Sequence, residues 1–179
     1  MNEVWRPDSL AHLALWLAIS AGLILLHLLP LGSARGDWPM PDLLLALTLA
    51  WVLRRPVHLP APAIAVVFLA EDLFLMRPPG LWALAVLLGS EFLRRRQSVV
   101  RELNLMLEWA MVAGVLTAMV LGTRLVRAIV MLPNDPLHLS FLALAVTILS
   151  YPLVVWVLQG VLRVRKPATG EVDELGRRL

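Results

Sequence analysis

Acidic and histidine side chains interrupt the apolar runs of this sequence at Asp42, Glu71, Asp72, Glu91, Glu108, His12 and His27. Groups of these types could transfer protons, bind a substrate or join helices through hydrogen bonds. An ionisable side chain at membrane depth costs roughly 2.5–3.5 kcal/mol on insertion scales, so each position requires a structural or functional reason.

Asp42 and Glu108 have simple structural explanations. Asp42 follows Pro41 at the start of an apolar run, where a carboxylate can cap the first N–H groups of a helix; a polar binding site is the alternative. Glu108 is the most deeply placed acid, about 9 Å along the helix axis from Glu102. We expect Glu108 to be paired inside a helix bundle, with contact to a partner protein as the alternative.

Glu71 and Asp72 are adjacent and point about 100° apart on a helix, just before Arg77 and a Pro-Pro-Gly turn. They are either solvated at the membrane interface, with a local pair to Arg77, or part of a buried contact or polar site. Glu91 lies four residues before Arg95, and this spacing predicts a helical ion pair.

The sequence contains no cysteine, no phosphate-binding loop, no HExxH or GxSxG motif, and no acid or histidine cluster at metal-ligand spacing. We therefore expect no enzymatic activity, no cofactor and no metal site. The net charge of +3 does not indicate nucleic-acid binding, because the arginines cluster between apolar runs, as they do in membrane proteins.

Hydrophobic residues make up 59% of the 179 residues and charged residues 16%, against roughly 45–50% and 25% in soluble domains. This composition predicts an all-α, multi-pass membrane bundle. The predicted spans lie near residues 10–29, 39–53, 61–76, 80–93, 102–121 and 139–162. They form a membrane domain over residues 1–163, and residues 164–179 are a disordered cytoplasmic tail.

Two further expectations concern the ends of these spans. Arg124 and Arg127 are predicted to lie in a linker between the fifth and sixth spans. Tryptophans fall near predicted span ends, as in an interfacial aromatic belt, at Trp5, Trp38, Trp51 and Trp82.

The distribution of basic residues predicts the orientation. With six spans, 12 of the 16 lysine and arginine residues lie on the side of the two termini, which the positive-inside rule makes cytoplasmic. The runs 43–53 and 81–93 are short for a hydrocarbon core of ~30 Å. If both are re-entrant, four spans remain and the distribution becomes 11 against 5, so the charges favour six spans only slightly.

Several segments carry a resemblance to a known family: Pro41–Leu45, Trp51–Pro56, Glu71–Leu84 and Arg94–Arg96. Together they resemble MreD, a small rod-shape-determining membrane protein, over most of the chain. The resemblance identifies Asp72 as the family aspartate and places Gly80 in the turn after it. The family often has a glycine just before this aspartate, where this sequence has Ala70-Glu71. The family's Pro-Leu-Gly turn has a leucine where this sequence has Pro79.

The resemblance implies a non-enzymatic scaffold subunit of the cell-elongation machinery, which regulates cell shape and peptidoglycan synthesis. Expected partners are MreC and, through it, MreB, RodA and a penicillin-binding transpeptidase. The partner-binding or structural candidates are Asp42, Asp72, Gly80 and Glu108.

Two questions stay open at this point. The family's six-helix arrangement is similar to the substrate-binding subunits of energy-coupling-factor vitamin transporters, so a small-molecule-binding subunit is the alternative function. Small residues also line one face of the fifth span, including Gly114 and Ala118, and suit either a partner helix or packing inside the bundle.

Overall fold

The computed structural model describes residues 7–28, 40–97 and 104–160, and these residues form helices and connecting turns only, which confirms the all-α prediction for this part of the chain. The helices are α1 (Pro7–Leu28), α2 (Leu43–Arg54), α3 (Ala61–Phe74), α4 (Leu81–Arg95), α5 (Leu105–Ile129) and α6 (Leu137–Gly160). A single 3-10 turn, Pro56–His58, connects α2 to α3. The predicted tail 164–179 lies outside the described residues.

Three helices of the described chain are long and apolar enough to cross a membrane: Ser9–Leu28 within α1, and the whole of α5 and α6. At 1.5 Å per residue, the 25 residues of α5 span about 38 Å. The 12 residues of α2 span only about 18 Å, and the 15 residues of α4 about 22 Å.

The helices alternate in direction between the two ends of the bundle. At one end, a cavity is lined by residues near the ends of α1, α3 and α5 and the starts of α2, α4 and α6. At the other end, Arg54 at the end of α2 contacts Glu108 near the start of α5, and Arg94 at the end of α4 contacts the Pro56 carbonyl. The chain therefore runs back and forth between these ends.

The short helix α2 lies at the centre of the bundle. Its residues from Leu44 to Arg54 are all buried, and Trp51 is fully buried among them. The prediction of an interfacial Trp51 is therefore wrong, because α2 is surrounded by other helices. Trp5 and Trp38 lie outside the described residues.

The fifth helix extends beyond the apolar run that predicted it. Arg124 and Arg127 belong to α5, so the prediction of a linker there is wrong. Arginine is a good helix former, and its long side chain can carry the guanidinium away from apolar surroundings. As a result, both arginines project from a helix that the bundle holds in place.

Two local features hold the long helices against their neighbours. A Cβ atom at Gly89 of α4 would lie 2.8 Å from Met119 Sδ of α5, so glycine permits the close approach of these helices. Pro152 inside α6 has no N–H to donate to the Ile148 carbonyl. Trp109 Nε1 of α5 donates to that carbonyl instead, at 2.8 Å.

Candidate functional site

A buried polar cluster joins the end of α2 to α5 and α6; we name it the Arg54 cluster, and it comprises Arg54, Glu108, Tyr151 and Gln159. Arg54 Nη1 lies 3.0 Å from Glu108 Oε1, and the two side chains are 0% and 1% exposed. The Tyr151 hydroxyl donates to the same carboxylate oxygen at 2.7 Å. The prediction that Glu108 is paired inside the bundle is confirmed.

The rest of the Arg54 guanidinium is also satisfied. Nη1 donates to the Ala50 carbonyl at 3.0 Å. With the Gln159 amide oxygen turned toward Arg54, which is the orientation that matches donors to acceptors, it accepts from Nε at 3.3 Å and Nη2 at 3.2 Å. A buried arginine with this many partners connects α2, α5 and α6, and it is not arranged to exchange protons.

A second arginine secures the same end of the bundle. Arg94 Nη1 and Nη2 donate to the carbonyls of Pro56 and Leu59 at 2.7 and 2.8 Å, so α4 holds the turn between α2 and α3. Arg94 Nε also lies 2.9 Å from Glu91. The predicted Glu91–Arg95 pair is therefore wrong: Glu91 pairs three residues away, a spacing that also brings side chains together on a helix.

At the other end of α2, Asp42 caps the helix. Its Oδ1 accepts from the Leu45 N–H at 2.9 Å, and its own N–H donates to Thr147 Oγ1 of α6 at 3.0 Å. The predicted cap is confirmed. The bond to Thr147 fixes the start of α2 against α6.

Glu71 is fully buried near this end, so the interpretation of a solvated interfacial acid is wrong. Its Oε1 lies 3.6 Å from His27 Nδ1 and 3.8 Å from Arg77 Nη1. The predicted proximity to Arg77 is present, and His27 of α1 was not expected. The Arg77 guanidinium also lies over the Trp82 ring, 5.9 Å from its centroid.

Asp72 is fully buried and caps the following helix rather than its own. Its Oδ2 accepts from the N–H groups of Gly80 and Ala83 at 3.0 and 3.2 Å. Gly80 precedes α4 with φ +84°, a left-handed conformation that glycine adopts without a Cβ penalty. Asp72 and Gly80 together fix the turn between α3 and α4.

A cavity of about 500 Å³, which we name the Asp42 cavity, lies at this end of the bundle. Its charged and polar lining comprises His27, Asp42, Arg77, Thr123, Arg124, Arg127, Asp135, Ser140 and Thr147. Apolar side chains such as Leu45, Leu116 and Leu144 form the rest of the wall. A volume of this size fits a small ligand.

The structure thus separates the predicted site residues. Asp42 lines the cavity, Asp72 and Gly80 form the turn beside it, and Glu108 lies at the opposite end of α2 in the Arg54 cluster. Among the described residues, no group of three or more histidine, aspartate and glutamate side chains is placed to hold a metal ion.

With this geometry established, the chain was compared with protein-family models, with curated proteins and with solved structures. No match is found.

Several residues of the Arg54 cluster and of the Asp42 cavity were not predicted as site residues. Arg54 directly follows the predicted span 39–53, and an arginine at the end of an apolar run can turn inward to an acid. Tyr151, the one tyrosine of the sequence, is a polar group in the middle of an apolar run, and this was a usable signal. No local signal indicates that Thr147 would meet Asp42, 105 residues away.

Proposed function

We propose that this protein is an MreD-like, non-enzymatic scaffold of the cell-elongation machinery in the inner membrane, with six spans and both termini in the cytoplasm. The single observation that carries the scaffold proposal is an open apolar groove between α4 and α5. The alternating helix directions and the arginine-rich Arg54 end support the topology. A cysteine placed at the exposed Val57, the sole cysteine of that variant, should be labelled from the cytoplasmic side only.

The groove has a volume of about 650 Å³ and is lined almost entirely by apolar side chains, with Gly114, Ala118 and Gly122 of α5 along one wall. A Cβ atom at Gly114 or Gly122 would meet nothing within 4 Å. Packing inside the bundle therefore does not require glycine at these positions. Gly89, on the neighbouring wall, is different because it permits the α4–α5 contact itself.

Small residues four apart let the backbone of a second helix approach closely, and van der Waals packing drives such association in membranes. The occupant that the resemblance implies is the membrane-spanning helix of MreC. Through MreC, the scaffold would connect to MreB, RodA and a penicillin-binding transpeptidase. The protein itself then turns over no substrate.

The test is to fill the groove. Gly114→Leu should leave the fold intact, because the added side chain enters open space, but should reduce the recovery of MreC with the tagged protein by roughly tenfold or more. Gly22→Leu is the matched control, since Gly22 is also exposed on a long helix with nothing within 4 Å of an added Cβ. Equal MreC recovery with both variants would refute the groove as the MreC site.

The Asp42 cavity favours a second candidate, a small-molecule-binding subunit of a vitamin-type transporter. It has the volume of a ligand site and places carboxylate and guanidinium groups on its wall. The same purification separates the two functions. Recovery of transporter ATPases in place of MreC would establish the transporter and exclude the scaffold.

A further inference from the structure

Arg124 and Asp42 both line the Asp42 cavity, and they form no ion pair with each other. Arg124 donates to the Asp135 backbone carbonyl at 3.0 Å and to Ser140 Oγ at 2.6 Å, and within the described ranges it contacts no carboxylate. The Asp42 carboxylate accepts the Leu45 N–H that it caps. A guanidinium and a carboxylate that line one cavity without pairing can each bind the opposite charge of a single ligand.

A second guanidinium lies on the same wall. Arg127, three residues from Arg124 on α5, contacts the Asp135 carboxylate at 3.3 Å, but that carboxylate is 74% exposed. An exposed ion pair contributes little free energy, so a better anion can replace it. Two neighbouring guanidiniums match the several oxygens of a phosphate better than a single oxygen acceptor.

The position of the cavity indicates an amphiphile. Its lining includes residues near the ends of α1 and α5 and the start of α6, the parts of these helices that would lie at the headgroup level in a membrane-spanning orientation. Trp82 is part of its wall, as is common for tryptophan at a membrane interface. Leu116 and Leu144 form an apolar surface deeper in the same cavity. A ligand that fills it therefore combines charged groups with apolar parts.

We propose that the Asp42 cavity binds an ammonium–phosphate zwitterion, with the phosphate at Arg124 and Arg127 and the ammonium at Asp42. The headgroup of phosphatidylethanolamine has this chemistry, and so does soluble glycerophosphoethanolamine. The Asp42 carboxylate disfavours a ligand that carries only negative charge. This site goes beyond a scaffold function and does not depend on it.

The first measurement is lipid binding by native mass spectrometry of the purified full chain in detergent. Phosphatidylethanolamine should bind roughly tenfold more tightly than phosphatidylcholine, whose methylated ammonium cannot donate hydrogen bonds, and than phosphatidic acid, which has no ammonium. Glycerophosphoethanolamine is then added as a competitor. Displacement of the lipid at equal concentration assigns the soluble compound as the ligand, and persistence of the lipid assigns the membrane source.

Variants connect the preference to the cavity. Asp42→Asn and Arg124→Gln should each weaken phosphatidylethanolamine binding by roughly tenfold. Asparagine caps helices as well as aspartate, so the first variant should fold, and Arg124→Lys replaces the second if glutamine unfolds the protein. Arg95→Gln, exposed at the opposite end of α4, is the control.

Equal binding of the three lipids, or variants that bind like Arg95→Gln, would overturn the proposal. Failure here is distinguishable from failure of the scaffold proposal, because Gly114 lines the α4–α5 groove and not this cavity. Gly114→Leu should therefore leave lipid binding unchanged.

Discussion

The two ends of α2 hold their charged groups in different ways. At Arg54, the guanidinium and the Glu108 carboxylate are buried, in contact, and supplied with further partners by Tyr151 and Gln159. At Asp42, only about 18 Å away along the same helix, the carboxylate lines a cavity opposite guanidiniums that it does not contact.

The difference shows which charges the fold requires. A fully buried ion that loses its partner is strongly destabilising, so the residues of the Arg54 cluster depend on one another for folding. Asp42 is only partly buried on the wall of the cavity, and its carboxylate accepts a hydrogen bond from the Leu45 N–H without a guanidinium in contact. Asp42 also caps α2, but the cap needs only an acceptor oxygen, so the negative charge of Asp42 is available to bind a ligand.

The largest effect on stability is expected at the Arg54 end of α2. Glu108→Ala leaves Arg54 buried without its carboxylate and should lower the free energy of unfolding by about 3–5 kcal/mol. Unfolding of the purified protein in detergent, followed by circular dichroism, measures this. Glu91→Ala is the matched control: Glu91 is 37% exposed in its pair with Arg94, so its loss should cost less than about 1 kcal/mol. Equal losses of unfolding free energy in the two variants would show that the buried ion pair is no more necessary for folding than the exposed one.

A smaller effect is expected for the turn beside the cavity. Asp72→Ala removes the acceptor of the Gly80 and Ala83 N–H groups and should destabilise the protein by about 1 kcal/mol, as loss of a helix cap does. Hydrogen exchange at the first turn of α4 should increase in the same variant. Asp72→Asn, which keeps an acceptor oxygen, is the control. Unchanged exchange in Asp72→Ala would show that the cap does not stabilise α4.

The smallest effect on stability is expected at Asp42. Asp42→Asn keeps the cap on Leu45 and should change the free energy of unfolding by less than about 0.5 kcal/mol in the same assay. A loss as large as that of Glu108→Ala would show that the charge at the Asp42 end of α2 is as necessary for folding as the ion pair at the Arg54 end. The two ends of α2 would then not differ in whether folding requires their charged groups.

Local patterns were sufficient for part of this architecture. Asp42 could be predicted as a cap because the signal, an acid between a proline and an apolar run, lies within a few residues of the contact. Pairing of Glu108 followed from the high free energy of an isolated buried charge, although this argument could not identify its partners. Arg54 and Tyr151 lie 54 and 43 residues away, and only the packing of the helices brings them to Glu108.

The errors have physical reasons of their own. Hydropathy marks where a run stops being apolar, whereas a helix continues as long as its backbone hydrogen bonds do, so α5 includes Arg124 and Arg127. Trp51 was predicted to be interfacial from its distance to the end of a run, but α2 is enclosed by other helices, so the Trp51 side chain is buried. The function and the orientation stay predictions.

The enclosed position of α2 has a consequence for biogenesis. A helix of 12 residues is well below the ~20 apolar residues of an ordinary spanning helix, and none of its side chains from Leu44 onward is left to face lipid. Synthesis delivers α2 before α5 and α6, which supply Glu108 and Tyr151. We therefore expect α2 to reach its final position only after the last helix has been inserted, so that truncation before α6 leaves the N-terminal half of the protein open to degradation.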